Sequence, residues 1–323
     1  MSRNLTICVC AYNAEKYIVK TLNSLYNQTC SDFDFLLIDD CSTDDTHRIV
    51  QSYFYEHPYI NAKIIHLSKN RGLAYGRKIA ERLVTTEYIL FFDADDLALP
   101  HYVEKLYTRI QQDAHCMAVG CYCEYIDDSG NIIGGGIRIG SKTPEEFRNR
   151  AAKEKLMFMS ASSIIRVSDM RQAGGRHIEG FPSGKPRYQD MCEDLDLWTR
   201  MSDFYKDGKY IIVVPEVLFH YRKMASSMSA NGRAMSMRMR HIKCNLKRRR
   251  RGEAELTFID YLDSLTTWQK VKYAYSDWSQ GFYKQAGFHY MKKNYIRFLL
   301  NLGCAALFNP GYFLQKMKHN VKR

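Results

Sequence analysis

The chain has 323 residues, of which 46% are hydrophobic and 25% are charged, and its formal net charge is +12. This length accommodates one large domain with an appendage, and the composition excludes an intrinsically disordered chain. The ten cysteines form no CxxC pair and no Cys/His cluster at zinc spacing, so the sequence predicts a reducing compartment without disulfides.

The first hundred residues alternate between predicted strands and helices. We expect strands at Leu5–Cys10, Phe33–Ile38, Ala62–Leu67 and Tyr88–Phe92, and helices at Glu15–Asn27, Thr46–Tyr55 and Ala74–Val84. This alternation predicts a parallel sheet with crossover helices, and therefore an α/β fold. Polar clusters follow the strands, so they should gather along one edge of the sheet.

The strand that begins at Tyr88 ends in three carboxylates, Asp93, Asp95 and Asp96. Crowded carboxylates repel one another, and a divalent cation with a preference for oxygen ligands, Mg²⁺ or Mn²⁺, resolves that conflict. Taken alone, the cluster is equally compatible with a solvated acidic turn that caps the next helix. The glycine-rich loops of dehydrogenases and P-loop enzymes are missing, so a bound diphosphate would need a metal in their place.

Four segments resemble the inverting family 2 glycosyltransferases that have the GT-A fold and act in bacterial surface-polysaccharide synthesis. They are Thr6-Ile-Cys-Val-Cys-Ala-Tyr-Asn13, Leu37-Ile-Asp-Asp-Cys-Ser-Thr-Asp-Asp-Thr46, Asn70-Arg-Gly72 and Phe92-Asp-Ala-Asp-Asp96. Their order and spacing match the family, and the resemblance covers roughly residues 5–230. Where the family often has Ala-Arg-Asn, this chain has Gly76-Arg77-Lys78.

The resemblance implies a role for each matching position in a nucleotide-sugar site. The residues implied to bind the donor are Ala11, Tyr12, Asn13, Glu15, Asp40, Arg77, Asp93 and Arg222. Within this set, Asp40 would accept a hydrogen bond from the base, most naturally from the N3–H of uracil, and Arg222 would clamp the diphosphate. Asp95 would be the main metal ligand, assisted by Asp93, with Mn²⁺ or Mg²⁺ as the cofactor.

Cys192-Glu-Asp-Leu-Asp-Leu-Trp198 contains the pair Glu193-Asp194 at the start of a predicted helix. Carboxylates in a first helical turn are also favoured by the helix dipole, which is the structural alternative. The resemblance implies that Asp194 is the general base and that Glu193 supports acceptor binding or orients the helix. Ser162, in a hydroxyl-rich stretch, is a further acceptor-side residue, although small hydroxyls also suit tight packing.

The positive charge belongs to the C-terminal third. Residues 222–323 carry 21 Lys and Arg against 5 Asp and Glu, a net charge of +16, whereas residues 1–221 have a net charge of −4. A basic run at Lys247–Arg251 and the aromatic residues that follow predict attachment of 233–323 to an anionic membrane surface. The alternatives are nucleic-acid binding and a solvated helical appendage. Of the three, we favour membrane attachment, and we expect no nucleic-acid partner.

The sequence therefore predicts two domains, a GT-A catalytic domain over 1–230 and a basic helical region over 231–323. The catalytic domain divides into a nucleotide-sugar half at about 1–100 and an acceptor half at about 101–230. We expect an inverting, metal-dependent transferase that moves a sugar from a UDP-sugar to a glycan or lipid-linked acceptor. The rival hypotheses are a sugar nucleotidyltransferase and a basic nucleic-acid-binding protein.

The predicted location is the cytoplasm, with peripheral attachment to the cytoplasmic face of the membrane. The chain begins directly with a predicted strand, so we expect no signal peptide. No run of about 20 apolar residues occurs, which argues against a membrane-spanning helix.

Overall fold

The computed structural model describes residues 3–58, 61–224, 231–291 and 293–321. The chain divides into two compact units. The first comprises Met1–Glu179, Cys192–Ser226 and Ile242–Glu255, and the second comprises Gly180–Met191, Ser227–His241 and Leu256–Arg323.

Among the described residues, the first unit is built around one sheet of nine strands. The strands are β1 (Leu5–Ala11), β2 (Asp34–Asp39), β3 (Ala62–His66), β4 (Tyr88–Asp93), β5 (Leu97–Ala98), β6 (Cys116–Ile126), β7 (Ile132–Ile137), β8 (Ser163–Arg166) and β9 (Tyr210–Arg222). Their order is β3-β2-β1-β4-β8-β6-β9-β5, with β7 paired to β6. The first four strands in this order run parallel, and β8 joins β4 antiparallel. The predicted α/β fold is therefore confirmed.

Helices cover this sheet and continue into the second unit. They are α1 (Ile18–Tyr26), α2 (Thr46–Glu56), α3 (Leu73–Leu83), α4 (Tyr102–Gln111), α5 (Pro144–Ala152), α6 (Val167–Gln172), α7 (Glu193–Met201), α8 (Gly232–Arg250), α9 (Phe258–Asp263), α10 (Thr267–Met291), α11 (Tyr295–Phe308) and α12 (Pro310–Val321). In α1, Ile18, Leu22 and Leu25 recur at helical spacing and are buried, because one apolar face covers the sheet.

Strand register brings the polar strand ends together. Ala11 lies opposite Asp39, Cys10 lies opposite Asp93, and Asp39 lies opposite His66. The carboxyl ends of β3, β2, β1 and β4 therefore form one continuous edge, the position at which α/β sheets bind ligands.

In the second unit, α10, α11 and α12 pack through aromatic side chains. Phe308 of α11 stacks on Phe282 of α10 at 5.5 Å between ring centroids, and Tyr283 meets Phe313 of α12 at 6.3 Å. The hydroxyl of Ser279 donates a hydrogen bond of 2.7 Å to the carbonyl of Ala305. Among the described residues, no helix is both long enough and apolar enough to cross a membrane.

Candidate functional site

The loop after β1 is tied to the turn after β2 by hydrogen bonds. The backbone N–H of Asn13 donates to Ser42 Oγ at 3.0 Å, and its Oδ1 accepts from the backbone N–H of Thr43 at 2.8 Å. Glu15 accepts from the backbone N–H of Asp45 at 2.9 Å. Asn13 has a positive φ of 49°, which an asparagine tolerates better than most residues. These polar residues therefore shape the edge of the sheet.

Asp40 connects this edge to a third loop. Its Oδ1 accepts from the backbone N–H of Arg71 at 2.8 Å, and its Oδ2 accepts from that of Gly72 at 2.7 Å. Its own N–H donates to the carbonyl of Ala11 at 2.8 Å. The neighbouring Tyr12 is 48% exposed. Of the residues predicted to bind the base and ribose, the structure thus gathers Ala11, Tyr12, Asn13, Glu15 and Asp40.

The three carboxylates at the end of β4 differ in their environments. Burial and the negative charge of Asp93 raise the pKa of Asp95 to about 6. Asp96 is fully buried, and burial together with Asp93 and Asp95 raises its pKa well above the usual range. A cation beside Asp93 and Asp95 would relieve this repulsion, and oxygen ligands suit Mg²⁺ or Mn²⁺. Asp93 and Asp95 therefore fit the implied metal.

Arg222 ends β9 beside this acidic cluster. Its backbone N–H donates to Asp96 Oδ1 at 2.8 Å, its Nε donates to the carbonyl of Asp95 at 2.8 Å, and its Nη1 donates to that of Asp127 at 2.6 Å. The guanidinium lies over the ring of Tyr17 at 4.7 Å. Its Nη2 is buried with no hydrogen-bond partner among the residues that the structure describes, so one donor remains for a ligand.

Arg77 links the acidic strand to helix α7. It is buried in α3, and its Nη2 donates to Asp93 Oδ1 at 2.5 Å while its Nη1 contacts Glu193. Glu193 is also contacted by Nε of Arg176, whose Nη1 donates to Glu81 at 2.7 Å. The buried side chains of Arg77, Glu193, Arg176 and Glu81 therefore form a chain of ion pairs, in that order, in which basic and acidic groups alternate. This chain connects α3 to the start of α7.

This ion network sets the charge of the two carboxyls that begin α7. Burial disfavours an ionised Glu193, but the guanidinium groups of Arg176 and Arg77 outweigh burial and lower its pKa. Asp194 is half-buried, and among the residues that the structure describes it has no ion-pair partner. Burial and the adjacent charge of Glu193 raise the pKa of Asp194 to about 6. Neighbouring carboxyls with oppositely shifted pKa values are typical of a site with assigned acid and base roles.

Ser162 is buried immediately before β8. The next residue, Ser163, lies opposite Phe91 in β4, so this stretch approaches the acidic end of that strand. The backbone carbonyl of Ser162 accepts from the hydroxyl of Ser160 at 3.2 Å. Acceptor contacts by Ser162 and Glu193 stay predictions.

Sequence reasoning missed Arg176 and Glu81. Glu81 lies on a helix 95 positions before Arg176, and nothing local in either segment marks the pairing. The only sequence signal was Gly174-Gly175 directly before Arg176. Both glycines have positive φ, and a Cβ on Gly175 would lie 2.4 Å from Glu81 Oε2, so the tight turn is what admits the network.

The basic run of α8 is largely paired within the first unit. Arg249 Nε donates to Asp203 at 2.6 Å, and Arg250 Nε donates to the other oxygen of that carboxylate at 2.5 Å. Arg248 forms an ion pair with Glu253 at 3.1 Å. These arginines attach the end of α8 to neighbouring segments, so the run is a weaker membrane or nucleic-acid signal than its charge indicated.

A family model described as Glycosyl transferase family 2 matches residues 6–172. An uncharacterized glycosyltransferase from Haemophilus influenzae is 28% identical over 231 residues, which cover 70% of this chain and 67% of that protein. The structure of S. aureus TarS 1-349 in complex with UDP-GlcNAc aligns with a TM-score of 0.55 at 20% identity, covering 96% of this chain and 82% of that TarS fragment.

The mannosyltransferase PcManGT from Pyrobaculum calidifontis, in complex with GDP-Man and Mn²⁺, aligns with a TM-score of 0.56 at 18% identity, covering 95% of this chain and 87% of PcManGT. At these identities the structural likenesses bear on the fold alone. Together with the family match they confirm the predicted GT-A fold.

Proposed function

Because the chain belongs to glycosyl transferase family 2 and is a glycosyltransferase, we propose that it transfers a sugar from a UDP-sugar with inversion at the anomeric carbon. The acceptor in this proposal is a glycan or a lipid-linked glycan of a cell-surface polysaccharide. Support for the donor class comes from TarS, which binds UDP-GlcNAc, and from PcManGT, which binds GDP-Man. The choice of UDP rests on the family resemblance, which implies that the buried carboxylate of Asp40 would accept a hydrogen bond from the N3–H of uracil.

The environment of Asp194 is the observation that carries the proposed mechanism. A pKa of about 6 leaves this carboxylate ionised at neutral pH and more basic than an ordinary aspartate. It would take the proton of the acceptor hydroxyl while that oxygen attacks the anomeric carbon from the face opposite the nucleotide. A single displacement of this kind inverts the anomeric configuration. Arg77 and Arg176 hold the adjacent Glu193, and thereby position the start of α7.

The donor end of the site would be formed by the edge of β2, β1 and β4. Asp95 and Asp93 are the residues that would hold Mn²⁺ or Mg²⁺, and such an ion would offset charge on the leaving diphosphate. The Nη2 of Arg222, which has no hydrogen-bond partner in the described part of the chain, offers a further donor to phosphate oxygens. The backbone around Ala11 would line the base pocket.

The donor assignment is tested by thermal unfolding with UDP, GDP and dTDP, each with and without Mn²⁺. UDP with Mn²⁺ should raise the midpoint, because a ligand that binds only the folded state stabilises it. Asp95→Ala should abolish the shift, and the matched control Asp32→Ala should keep it, because Asp32 is an exposed acid just before the start of β2, away from the carboxyl ends of the strands. A larger shift with GDP or dTDP would overturn the role of Asp40, and no shift with any nucleotide would overturn the donor site.

The role of Asp194 needs a separate test. Asp194→Asn should keep the UDP-dependent thermal shift of the parent protein and lose transfer to a lipid-linked acceptor fraction by about 100-fold or more, because the acceptor proton has no base. Glu104→Gln, at an exposed acid, is the control for both assays. Transfer at near wild-type rate by Asp194→Asn would exclude it as the base.

We propose that the basic C-terminal region, 231–323, contacts the membrane not through Ile242–Glu255, which belongs to the first unit, but through the part that belongs to the second unit. Its helices α10, α11 and α12 expose large apolar side chains, including Trp268 at 75%, Ile296 at 77% and Leu307 at 79%. Exposed lysine and arginine side chains lie on the same helices, at Lys270, Lys272, Lys284, Arg297 and Lys316, and Lys293 is exposed between α10 and α11. Apolar and basic groups together suit a helix lying on anionic lipid.

Co-sedimentation with vesicles tests this contact. The protein should pellet with vesicles that contain phosphatidylserine, less so in high salt, and remain in solution with phosphatidylcholine alone. Replacing Ile296, Leu299 and Leu307 by serine should reduce binding, whereas serine at the exposed Ile132 and Ile133 of β7 should not. Retention in the supernatant at every salt concentration would refute membrane attachment, and salt-sensitive binding to DNA would favour the nucleic-acid alternative.

A further inference from the structure

We propose that Asp39, His47 and His66 form a binding site for a divalent transition-metal ion of the Zn²⁺ class, distinct from the donor-site carboxylates. Asp39 ends β2, His66 ends β3 opposite it, and His47 lies in the first turn of α2. Within the described parts of the chain, these three residues are the one group of His, Cys, Asp or Glu that brings three ligand atoms together. The proposal does not depend on which sugar or nucleotide the enzyme uses.

The three ligand atoms converge on a small volume. Asp39 Oδ2 lies 2.7 Å from Nδ1 of His66 and 3.2 Å from Nδ1 of His47, and all three atoms lie within 4.8 Å of one another. Ligands about 2.1 Å from a tetrahedral zinc ion are about 3.4 Å apart, so only small side-chain shifts would admit the ion. The two imidazole rings are 4.4 Å apart between centroids and tilted by 56°, which lets both nitrogens face the carboxylate.

Electrostatics also favour a cation here. The side chain of Asp39 is inaccessible to solvent, and among the described residues its ion-pair partners are the two histidines. A buried carboxylate without a permanent positive charge is costly, and a divalent ion would supply that charge. The Nδ1 atom of His47 is buried and makes no hydrogen bond within the described chain, although it lies 3.2 Å from Asp39 Oδ2. In the tautomer that carries its proton on Nε2, Nδ1 presents a lone pair that can coordinate the ion.

The surroundings provide an entry route and a link to the donor edge. The side chain of His66 is 42% exposed, so an ion can enter from solvent and keep a water as its fourth ligand. The other carboxylate oxygen of Asp39 accepts from the backbone N–H and the hydroxyl of Ser42, at 3.0 and 2.6 Å. Ser42 Oγ in turn accepts from the N–H of Asn13. An ion at Asp39 would therefore stiffen the loops around the base pocket.

Ligand chemistry separates this site from the one at Asp93 and Asp95. Two imidazoles and one carboxylate bind Zn²⁺ and Co²⁺ well, and Mn²⁺ is the weakest binder in the first-row series. All-oxygen carboxylate sites suit Mn²⁺ and Mg²⁺ instead. The two sites can therefore be titrated separately in the full-length protein.

The test is titration of EDTA-treated, reduced full-length protein with Co²⁺, followed by visible absorption, and with Zn²⁺ by competition against a chromophoric chelator. One equivalent should bind with the visible bands of a nitrogen- and oxygen-ligated ion, and Zn²⁺ should displace it and raise the thermal midpoint. His66→Asn retains a donor to Asp39 but is a poor ligand, so it should weaken binding by about 100-fold or more with an unchanged fold.

Two controls make the result specific. His115→Asn alters an exposed histidine that also pairs with an aspartate, Asp113 at 3.2 Å, and it should leave binding unchanged, as should Asp95→Ala. Equal affinity in the parent protein and in a variant with both His47→Ala and His66→Asn would overturn the proposal. Intense thiolate bands in the Co²⁺ complex would also overturn it, because they would assign the ion to cysteine. Absence of any stoichiometric binding would do the same.

Discussion

Replacing Asp194 by asparagine should stabilise the folded protein at alkaline pH while it removes activity. The pKa of this carboxyl rises from an ordinary 3.8 to about 6 on folding, through burial and the charge of Glu193. Below pH 3.8 the Asp194 carboxyl is protonated in both the folded and the unfolded protein, so its raised pKa does not lower the stability of the folded state. Above that pH the unfolded state releases its proton first, and wild-type stability falls as the pH rises through the folded pKa.

The size of the effect follows from the same pKa difference. At about 1.4 kcal/mol per pKa unit, the ionised carboxylate costs the folded state about 3 kcal/mol at pH 8. Because Asp194 keeps some contact with solvent, we expect a gain of about 2–3 kcal/mol for Asp194→Asn at pH 8. At pH 5 the gain should be about half as large, because the folded carboxyl is then mostly protonated.

The assay is urea unfolding of the parent protein and of Asp194→Asn at pH 5 and at pH 8. At each pH the free energy of unfolding of the parent is subtracted from that of the variant, and the two differences are compared. Glu193→Gln is a control with the opposite sign, since its carboxylate lies between two guanidinium groups and has a lowered pKa. It should destabilise the protein at pH 8 by about 3–5 kcal/mol. A gain for Asp194→Asn that is zero at pH 8, or equal at both pH values, would refute the assigned burial.

Three further substitutions test the network and the loops. Arg176→Met should lower the free energy of unfolding by about 3 kcal/mol, because it leaves the buried carboxylates of Glu81 and Glu193 short of a partner. The control is Arg138→Met, which removes a mostly exposed ion pair with Glu124. It should change the free energy of unfolding by under about 0.5 kcal/mol. Gly175→Ala should cost about 1–3 kcal/mol in urea unfolding, because its φ is +61° and the new Cβ would clash with Glu81. Asp40→Asn should remove the UDP-dependent thermal shift, because an amide NH₂ would face a backbone N–H.

Each of these three predictions would be contradicted by a specific result. Equal losses for the two arginine variants would show that the buried ion network contributes no more than a surface pair. Wild-type stability for the alanine variant would mean that the turn before the network is not constrained. A retained nucleotide shift with asparagine at position 40 would separate the loop contact from base recognition.

Local sequence predicted the first half of the fold closely. Strands were expected at Leu5–Cys10 and Ala62–Leu67, and the structure has them at Leu5–Ala11 and Ala62–His66. Buried parallel strands are short apolar runs bounded by polar turns, which is a pattern that neighbours in sequence create. The acceptor half is harder to predict, because the hydroxyl-rich stretch around Ser162 has no clear strand pattern, and the structure forms only the short strand Ser163–Arg166 there.

The sequence also determined which residues would meet at the site edge. Asp40, Asp93 and the loop after β1 each follow a strand, and parallel strands place such residues at one edge. Charge counting was less informative in the C-terminal third. A count of charges includes Arg249 and Arg250, but it does not show that both pair with Asp203, which precedes them by more than 45 positions.

Only the tertiary structure determined how charges pair across the fold. The contacts of Arg176 with Glu81 and Glu193, and that of Asp39 with His66, join segments that share no local motif. Such pairings depend on how helices and strands pack in space, and burial then sets the strength of each interaction and the pKa of each group. The strand-end motifs therefore predicted the family and the location of the site, whereas three-dimensional packing determined its electrostatics.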